Sequence, residues 1–339
     1  MTARRLGISV ALATFAIALL LPVSSAVAKT VRLTYANFPP APTFPCVQME
    51  HWSDEIEKRT DGAVQVDTFP GGTLLGAKSM MDGVITGQAD IGCVALAYQP
   101  GRYPIANATS LPLDIPNARV GSKVLWDLFV RYKPDSLTGV KVLTMFTSPP
   151  SNIMSRKPIR KLEDMAGMDL RASGGAADIL KAWGANQIGM PMSATPEALQ
   201  KGVVEGLLSS LDVMKDLKFA ELCRYVTVTD TVIYPFAVVM NLDRWNSLPP
   251  EVQQAMEGMA EEHAEWTGNY VDNHVKDALE WSKETHEVEV IRLSEEERAR
   301  WNDRLTHITD AWITDAAGKG LPAEQIVSDI RELAGKYGE

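Results

Sequence analysis

From Thr30 onward the chain alternates short apolar, strand-like runs with longer stretches of helical periodicity, and that alternation restricts it to an α/β architecture with crossover connections. VRLTYAN (31–37) has the character of a strand. After the loop FPPAPTFP, a helix places Met49, Trp52 and Ile56 on one face until Asp61-Gly62 ends it. AVQVDTF (63–69) alternates at period two, a Gly71-Gly72 loop leads to a helix around Met80, Met81, Val84 and Ile85, and ADIGCVAL (89–96) is an apolar strand. The first unit is therefore βαβαβ, with loops of ordinary length.

A second α/β set begins near Gly139 with the strand GVKVLTMFT. MDLRA (168–172) is a short strand that opens through Gly174-Gly175 onto a helix containing Ile179, Leu180 and Trp183. Thr195-Pro196 has the form of an N-cap followed by Pro at the first helical position. VVEGLLSS (203–210), RYVTVTD and FAVVMN follow as strands. The longest helical pattern runs from about Pro249 to His286, carrying Val252, Met256, Met259, His263, Trp266 and Tyr270 on one face. A helix of that length measures about 55 Å, more than one small domain covers, so it is expected to span both sets. Gly258, Gly268 and the lack of a sustained heptad set it apart from a coiled coil. EVEVIR (287–292) alternates like a strand, Ser294 to Glu297 forms a capping-box pattern, and two further helices finish the chain.

The 339 residues are enough for two domains. Forty-three acidic residues against 33 basic ones, a net charge of -10, argue against nucleic acid, whose binding is dominated by phosphate neutralisation. Residues 1–28 differ from the rest: Arg4 and Arg5, no acid, an apolar run and the small-residue site Ala26-Val27-Ala28 make a cleavable export signal. Its removal would leave a mature chain at -12. Cys46, Cys93 and Cys223 allow one disulfide or three buried thiols; Cys46 after a Pro-rich loop and Cys93 at the end of a strand form the candidate pair. No CxxC pair indicates zinc or redox chemistry.

Enzymatic motifs are near misses. Gly71 to Ser79 approaches the phosphate loop GxxxxGK[ST], but Ala77 separates the second Gly from Lys78. Arg171-Ala172-Ser173-Gly174-Gly175 lacks the Gly that a nucleophile elbow needs before its Ser. The five histidines, His51, His263, His274, His286 and His307, form no metal-binding motif. Arg171 stands out instead: it ends a short strand and faces a glycine-rich loop leading into a helix, a place where a guanidinium fork and backbone donors suit an anion. From the residues alone, a ligand role for Arg171 competes with a surface ion pair.

The ordered set FPGGTLLG (69–76), GQADI (87–91), YQPGRYP (98–104), KPI (157–159), LEDMAGMDLR (162–171), GA (184–185), ALQKGVVEG (198–206) and WNSLP (245–249) resembles the substrate-binding proteins of tripartite ATP-independent periplasmic (TRAP) transporters, the dicarboxylate-binding-protein-like family. It covers nearly the whole chain after residue 28.

The resemblance implies a two-domain periplasmic-binding-protein fold with mixed sheets, a central ligand cleft and a long helix spanning both domains. The division it implies is 29–149 with about 237–268 in one domain, and 150–236 with about 269–339 in the other. The implied function is a periplasmic receptor that closes over a small organic anion, carboxylate or sulfonate, and delivers it to TRAP membrane permease subunits. No catalysis, cofactor, metal or nucleic acid is implied, and the receptor is expected to be a monomer. A receptor reporting to a membrane sensor kinase is the alternative.

Arg171 matches the family arginine that binds the ligand carboxylate. Asn37, Lys78, Ala95, Tyr98, Gly174, Met192, Ser209 and Tyr234 would face the cleft, with Ser209 and Asn37 hydrogen bonding and Tyr98 and Met192 shaping the pocket. The chain departs from sialic-acid-type members: Ser151 replaces a second arginine, with Arg156 five positions on. Glu205-Gly206 replaces Asp-Gly, Ser209 an asparagine, and Met192 an aromatic. These departures point to a ligand that is small or mostly apolar beyond its anionic head.

Overall fold

The computed structural model describes residues 30–339; the export signal expected at 1–28 lies outside them. The chain first forms β1 (Val31–Ala36), α1 (Phe44–Arg59), β2 (Val64–Phe69), α2 (Met80–Ile85) and β3 (Ile91–Ala95), then α3 (Pro104–Asn107), α4 (Ala118–Tyr132) and β4 (Val140–Thr147). It continues through β5 (Asn152–Ser155), β6 (Asp169–Ala172), α5 (Ala176–Ala182), β7 (Asn186–Gly189), α6 (Thr195–Gln200), β8 (Gly206–Ser209), α7 (Val213–Asp216) and β9 (Tyr225–Val228). After β10 (Pro235–Asn241) come α8 (Leu242–Asn246), α9 (Pro250–Gly258) and α10 (Ala260–His286). The chain ends with β11 (Glu289–Arg292), α11 (Glu295–Asp303), α12 (Thr306–Gly318) and α13 (Ala323–Gly338).

Two mixed sheets result, in the orders β2-β1-β3-β10-β4 and β11-β9-β5-β8-β6-β7. β4 and β10 pair antiparallel with each other in the first sheet, so neither belongs to the second set where their sequence neighbours placed them. The two segments that cross between the sheets run side by side. Ser148 N donates to Tyr234 O at 2.9 Å, Tyr234 N to Ser148 Oγ at 3.0 Å, and Ser151 N to Val232 O at 2.8 Å. Between Ser148 and Ser151, Pro149 and Pro150 have no N–H to continue the ladder. The strands are thus interrupted where the two halves meet.

The long helix is present but shorter than its pattern. It breaks at Met259, after Gly258, and α10 runs 27 residues, about 40 Å. Beside His263 and Val271, its buried face is made of small residues, Ala260, Ala264, Thr267, Gly268, Ala278 and Ser282, which lets neighbouring backbone come close. A Cβ on Gly268 would lie 2.5 Å from Arg119 Cα. One turn on, the Asp272 carboxylate accepts from Ala118 N and Arg119 N at 2.8 and 2.9 Å, satisfying two free donors at the start of α4. The first half of α10 packs on α4 and β4, and its second half on α7, so it joins the two sheets.

The C-terminal helices divide between the sheets. α11 brings Trp301 against Trp183, whose Nε1 donates to Trp301 O at 3.1 Å. α13 returns to α4, where Tyr132 Oη donates to Asp329 at 2.6 Å, so the stretch grouped with the second domain also covers the first.

One local expectation changes, three elements are added, and the cysteines fall on one of the two readings left open. Thr195 is the first residue of α6 rather than its cap; Ala194 occupies the cap, and Thr195 Oγ1 donates to Pro191 O. Helix α4 and the four-residue strands β5 and β7 fall in stretches for which the sequence analysis assigns no element. Cys46, Cys93 and Cys223 are all free buried thiols, and Cys46 Sγ points to Pro39 O at 3.1 Å instead of bonding Cys93.

Candidate functional site

A cavity opens between the sheets at the carboxyl ends of β1, β3, β6 and β8, the crevice where open α/β sheets present their loops. The first sheet contributes Phe38 and Pro39 after β1, Phe44 at the start of α1, Ala95 and Tyr98 at the end of β3, and Phe236 on β10. The second contributes Arg171 on β6, Ser209 at the end of β8, Asp212 and Val213 at the start of α7, and Met192 beyond β7. Ser148 and Tyr234, from the paired crossing segments, form part of the wall. The cavity has a volume of about 60 Å³, enough for water or a compact solute.

β6 lies between β8 and β7, with Arg171 opposite Leu207 on one side and Ile188 on the other. Its side chain is 1% exposed. Nε and Nη2 both donate to Met190 O, at 3.0 and 2.9 Å, and Nη2 reaches Ser173 Oγ at 3.3 Å. These bonds fix the plane of the guanidinium and use one edge of its fork. Among the described residues no carboxylate lies within salt-bridge distance of it, and none accepts from Nη1. A buried cation without a counter-ion is costly unless an anion reaches it.

Tyr234 Oη donates to Leu208 O at 3.0 Å; burial raises its phenol while the Arg171 charge opposes the rise. Phe38 meets Tyr98 edge-on at 5.5 Å, and Phe44 meets Phe236 edge-on at 5.6 Å, so the first-sheet wall is aromatic. Asp212 is 1% exposed, and its carboxyl is pushed up to about 6 by burial and by nearby Asp216, with Ser210 and His274 acting the other way. Two contacts join the two sheets beside the cavity. Met192 N donates to Tyr98 Oη at 3.0 Å, and Gly174 abuts Ala97.

Of the residues expected in the cleft, Arg171, Ala95, Tyr98, Met192, Ser209 and Tyr234 gather around this cavity. Gly174 and the exposed Lys78 lie instead along a neighbouring opening that Tyr98 also borders. Asn37 lines neither. Its Nδ2 donates to Pro45 O at 2.8 Å and its Oδ1 accepts from Phe38 N at 3.0 Å, so its amide holds the loop behind the wall. Ser151 is buried at the crossing, and Arg156 donates to Leu199 O, away from the cavity. Sequence reasoning missed Phe38, Phe44, Phe236, Ser148 and Asp212. Phe38 and Phe44 flank one loop, but Phe236 lies far along the chain and only the pairing of β10 with β3 brings it to them.

Residues 39–315 match the bacterial extracellular solute-binding protein, family 7. The chain belongs to that family. A TRAP periplasmic solute-binding protein from Desulfovibrio salexigens, solved as an open complex with the C-terminus of a symmetry mate in its ligand-binding site, is 52% identical with a TM-score of 0.82, covering 91% of this chain and 96% of that one. A marine-metagenome TRAP solute-binding protein specific for aromatic acid ligands, in complex with 3-hydroxybenzoate, is 26% identical with a TM-score of 0.87, covering 91% and 99%. The 2,3-diketo-L-gulonate-binding periplasmic protein of Escherichia coli (strain K12) is 26% identical over 275 residues, 79% of this chain and 83% of that one. This TRAP solute-binding protein is accordingly a receptor for small organic anions and not an enzyme.

Proposed function

We propose that this receptor captures a compact, largely apolar organic monoanion, a carboxylate or sulfonate, between its two sheets and passes it to the membrane subunits of a TRAP permease. The observation that carries this reading is the buried Arg171 guanidinium, oriented by Met190 O and without a carboxylate partner among the described residues. Arg171 anchors the anionic head, and Ser209 offers a hydroxyl beside it. Phe38, Phe44 and Phe236 pack the remainder, while Tyr98, Met192 and Tyr234 close the wall. The aromatic lining agrees with the relative that holds 3-hydroxybenzoate.

In this reading the chain is exported through cleavage after Ala28 and acts as a monomer whose halves, 29–149 with about 237–268 and 150–236 with about 269–339, close about the paired crossing segments. Nothing observed favours a sensor kinase as the recipient. Lys78 and Gly174 border the entrance, and Asn37 supports the wall from behind.

A thermal-shift screen of the mature chain against small carboxylates, sulfonates, aromatic acids and amino acids tests it. Ligand at 100 times Kd stabilises the fold by about 2.7 kcal/mol, a readily visible rise in Tm. One class of anion should raise Tm in the wild type and not in Arg171→Ala. No rise with any anion, or a rise that survives the substitution, would overturn the assignment.

A further inference from the structure

Asp212 is a second charged side chain on the cavity wall, and anchoring an anion on Arg171 leaves it without a role. It sits in the turn from β8 to α7, almost wholly enclosed. Ser210 Oγ donates to its Oδ1, its own backbone N–H also bonds the carboxyl, and among the described residues no other group donates to its Oδ2. The charged and titratable groups around it are Asp216 and Lys215 on α7, His274 and Tyr270 from α10, and Arg171 and Tyr234 across the cavity. The nearby imidazole is already engaged, because His274 Nε2 bonds Asp216 Oδ1 at 2.8 Å. Asp212 is therefore an enclosed acid whose Oδ2 meets no donor from any other described residue. Burial, and then the neighbouring Asp216, raise its ionisation.

We propose that Asp212 determines ligand specificity: its Oδ2 accepts a hydrogen bond from a hydroxyl or amino group on the bound monoanion and repels any ligand with a second negative group. The inference rests on the receptor reading given above. A ligand whose far end is only hydrocarbon would shut the carboxylate into a closed cavity with no donor, and a buried acceptor left unpaired costs more than a made bond gains. A ligand with a donor there makes a charge-assisted bond. A dianion would bring its second charge against Asp212 in a poorly screened interior. Discrimination of this kind is stronger than an apolar wall alone can supply.

The test is calorimetric titration of the full mature chain with matched acids. The probes are benzoate, the three hydroxybenzoates, the three aminobenzoates and isophthalate, together with propionate and lactate. In the wild type at least one donor-bearing acid should bind about tenfold or more tightly than its unsubstituted parent, and isophthalate should be the weakest aromatic. Asp212→Asn, nearly isosteric, should shrink that preference and improve isophthalate. Asp212→Leu should reverse it in favour of the parent acids, and circular dichroism confirms that each variant is folded. Equal binding of parents and donor-bearing acids, or a preference that survives both substitutions, overturns the inference while leaving the receptor reading intact. Failure of every probe to bind, or binding indifferent to Arg171→Ala, overturns both.

Discussion

Gly174, on the loop after β6, lies so close to Ala97, on the turn after β3, that a Cβ on the glycine would sit 2.9 Å from the alanine Cβ and 3.1 Å from its carbonyl oxygen. The two residues belong to opposite sheets, and their approach stands at the edge of the cavity that holds Arg171. Gly175 repeats the arrangement, with Ser110 O 3.0 Å from where its Cβ would be. The glycine pair that opens helix α5 thus also allows backbone to meet backbone across the cleft. Gly174 has a φ of +55°, a conformation in which a side chain is strained in its own right.

Gly174→Ala should therefore oppose closure. The added methyl cannot be accommodated by rotating a flexible side chain, because its neighbours are an alanine and the backbone. We expect ligand affinity to fall by about tenfold, the effect of about 1.4 kcal/mol from separating backbones that meet in this structure, while the left-handed strain lowers stability with or without ligand. Small-angle scattering at saturating ligand should show a larger radius of gyration than for wild type. Unchanged affinity with an unchanged radius would mean that Ala97 and Gly174 separate in the bound state.

Tyr98→Phe removes only the hydroxyl that accepts from Met192 N, while the ring can keep its edge contact with Phe38. The bond crosses the cleft, so its loss should act on the closed state. An ordinary net hydrogen bond of about 1 kcal/mol predicts roughly fivefold weaker binding, expressed mainly as faster ligand release in stopped-flow traces. Release at the wild-type rate would show that this bond does not hold the closed form.

The parts of the fold that were legible in sequence have strong local signals. The βαβαβ unit follows its hydrophobic periods, and Ser294 does accept from Glu297 N at the start of α11. Helix α4 also carried a signal, an Asn117 cap before Val120, Val124 and Leu128 at four-residue spacing, which the sequence analysis passed over. β5 and β7 offered little, since four residues are too few to establish a period, and β5 is buried at every position. Membership of β4 and β10 in one sheet is a long-range pairing that no local window contains. At the site, Arg171 was marked by its strand end and glycine loop. Asp212 had no such mark, because its enclosure depends on β8, α7 and α10 converging. The resemblance implies Asn37 in the cleft, but the direction of its amide is set by Pro45 O and Phe38 N.

The cysteines make a simple prediction. Burial pushes the Cys46 and Cys223 thiols up to about 12 and raises Cys93 as well, so all three are protonated and enclosed at neutral pH. A thiol reagent at pH 8 should titrate almost none in the native protein and three per chain after denaturation without reductant. One thiol per denatured chain would instead reveal a disulfide.

His263 should make the protein sensitive to acid. It is buried between α10 and α1, its Nε2 is 3.3 Å from Gln48 O, and burial, reinforced by the neighbouring His51, lowers its ionisation to about 3. In the unfolded chain the same imidazole takes up a proton near 6.5. Between those values the unfolded state holds more protons, so the contribution of His263 to stability is intact above about 6.5 and is lost as pH falls toward 3. From pH 7 to pH 4 the loss amounts to about 3 kcal/mol. His263→Gln keeps a hydrogen-bonding side chain but cannot titrate. Urea denaturation of both proteins at the two pH values should show the wild type losing about 3 kcal/mol more than the variant. Equal losses would mean that His263 becomes charged in the folded protein, which requires water or a carboxylate to reach it between α1 and α10.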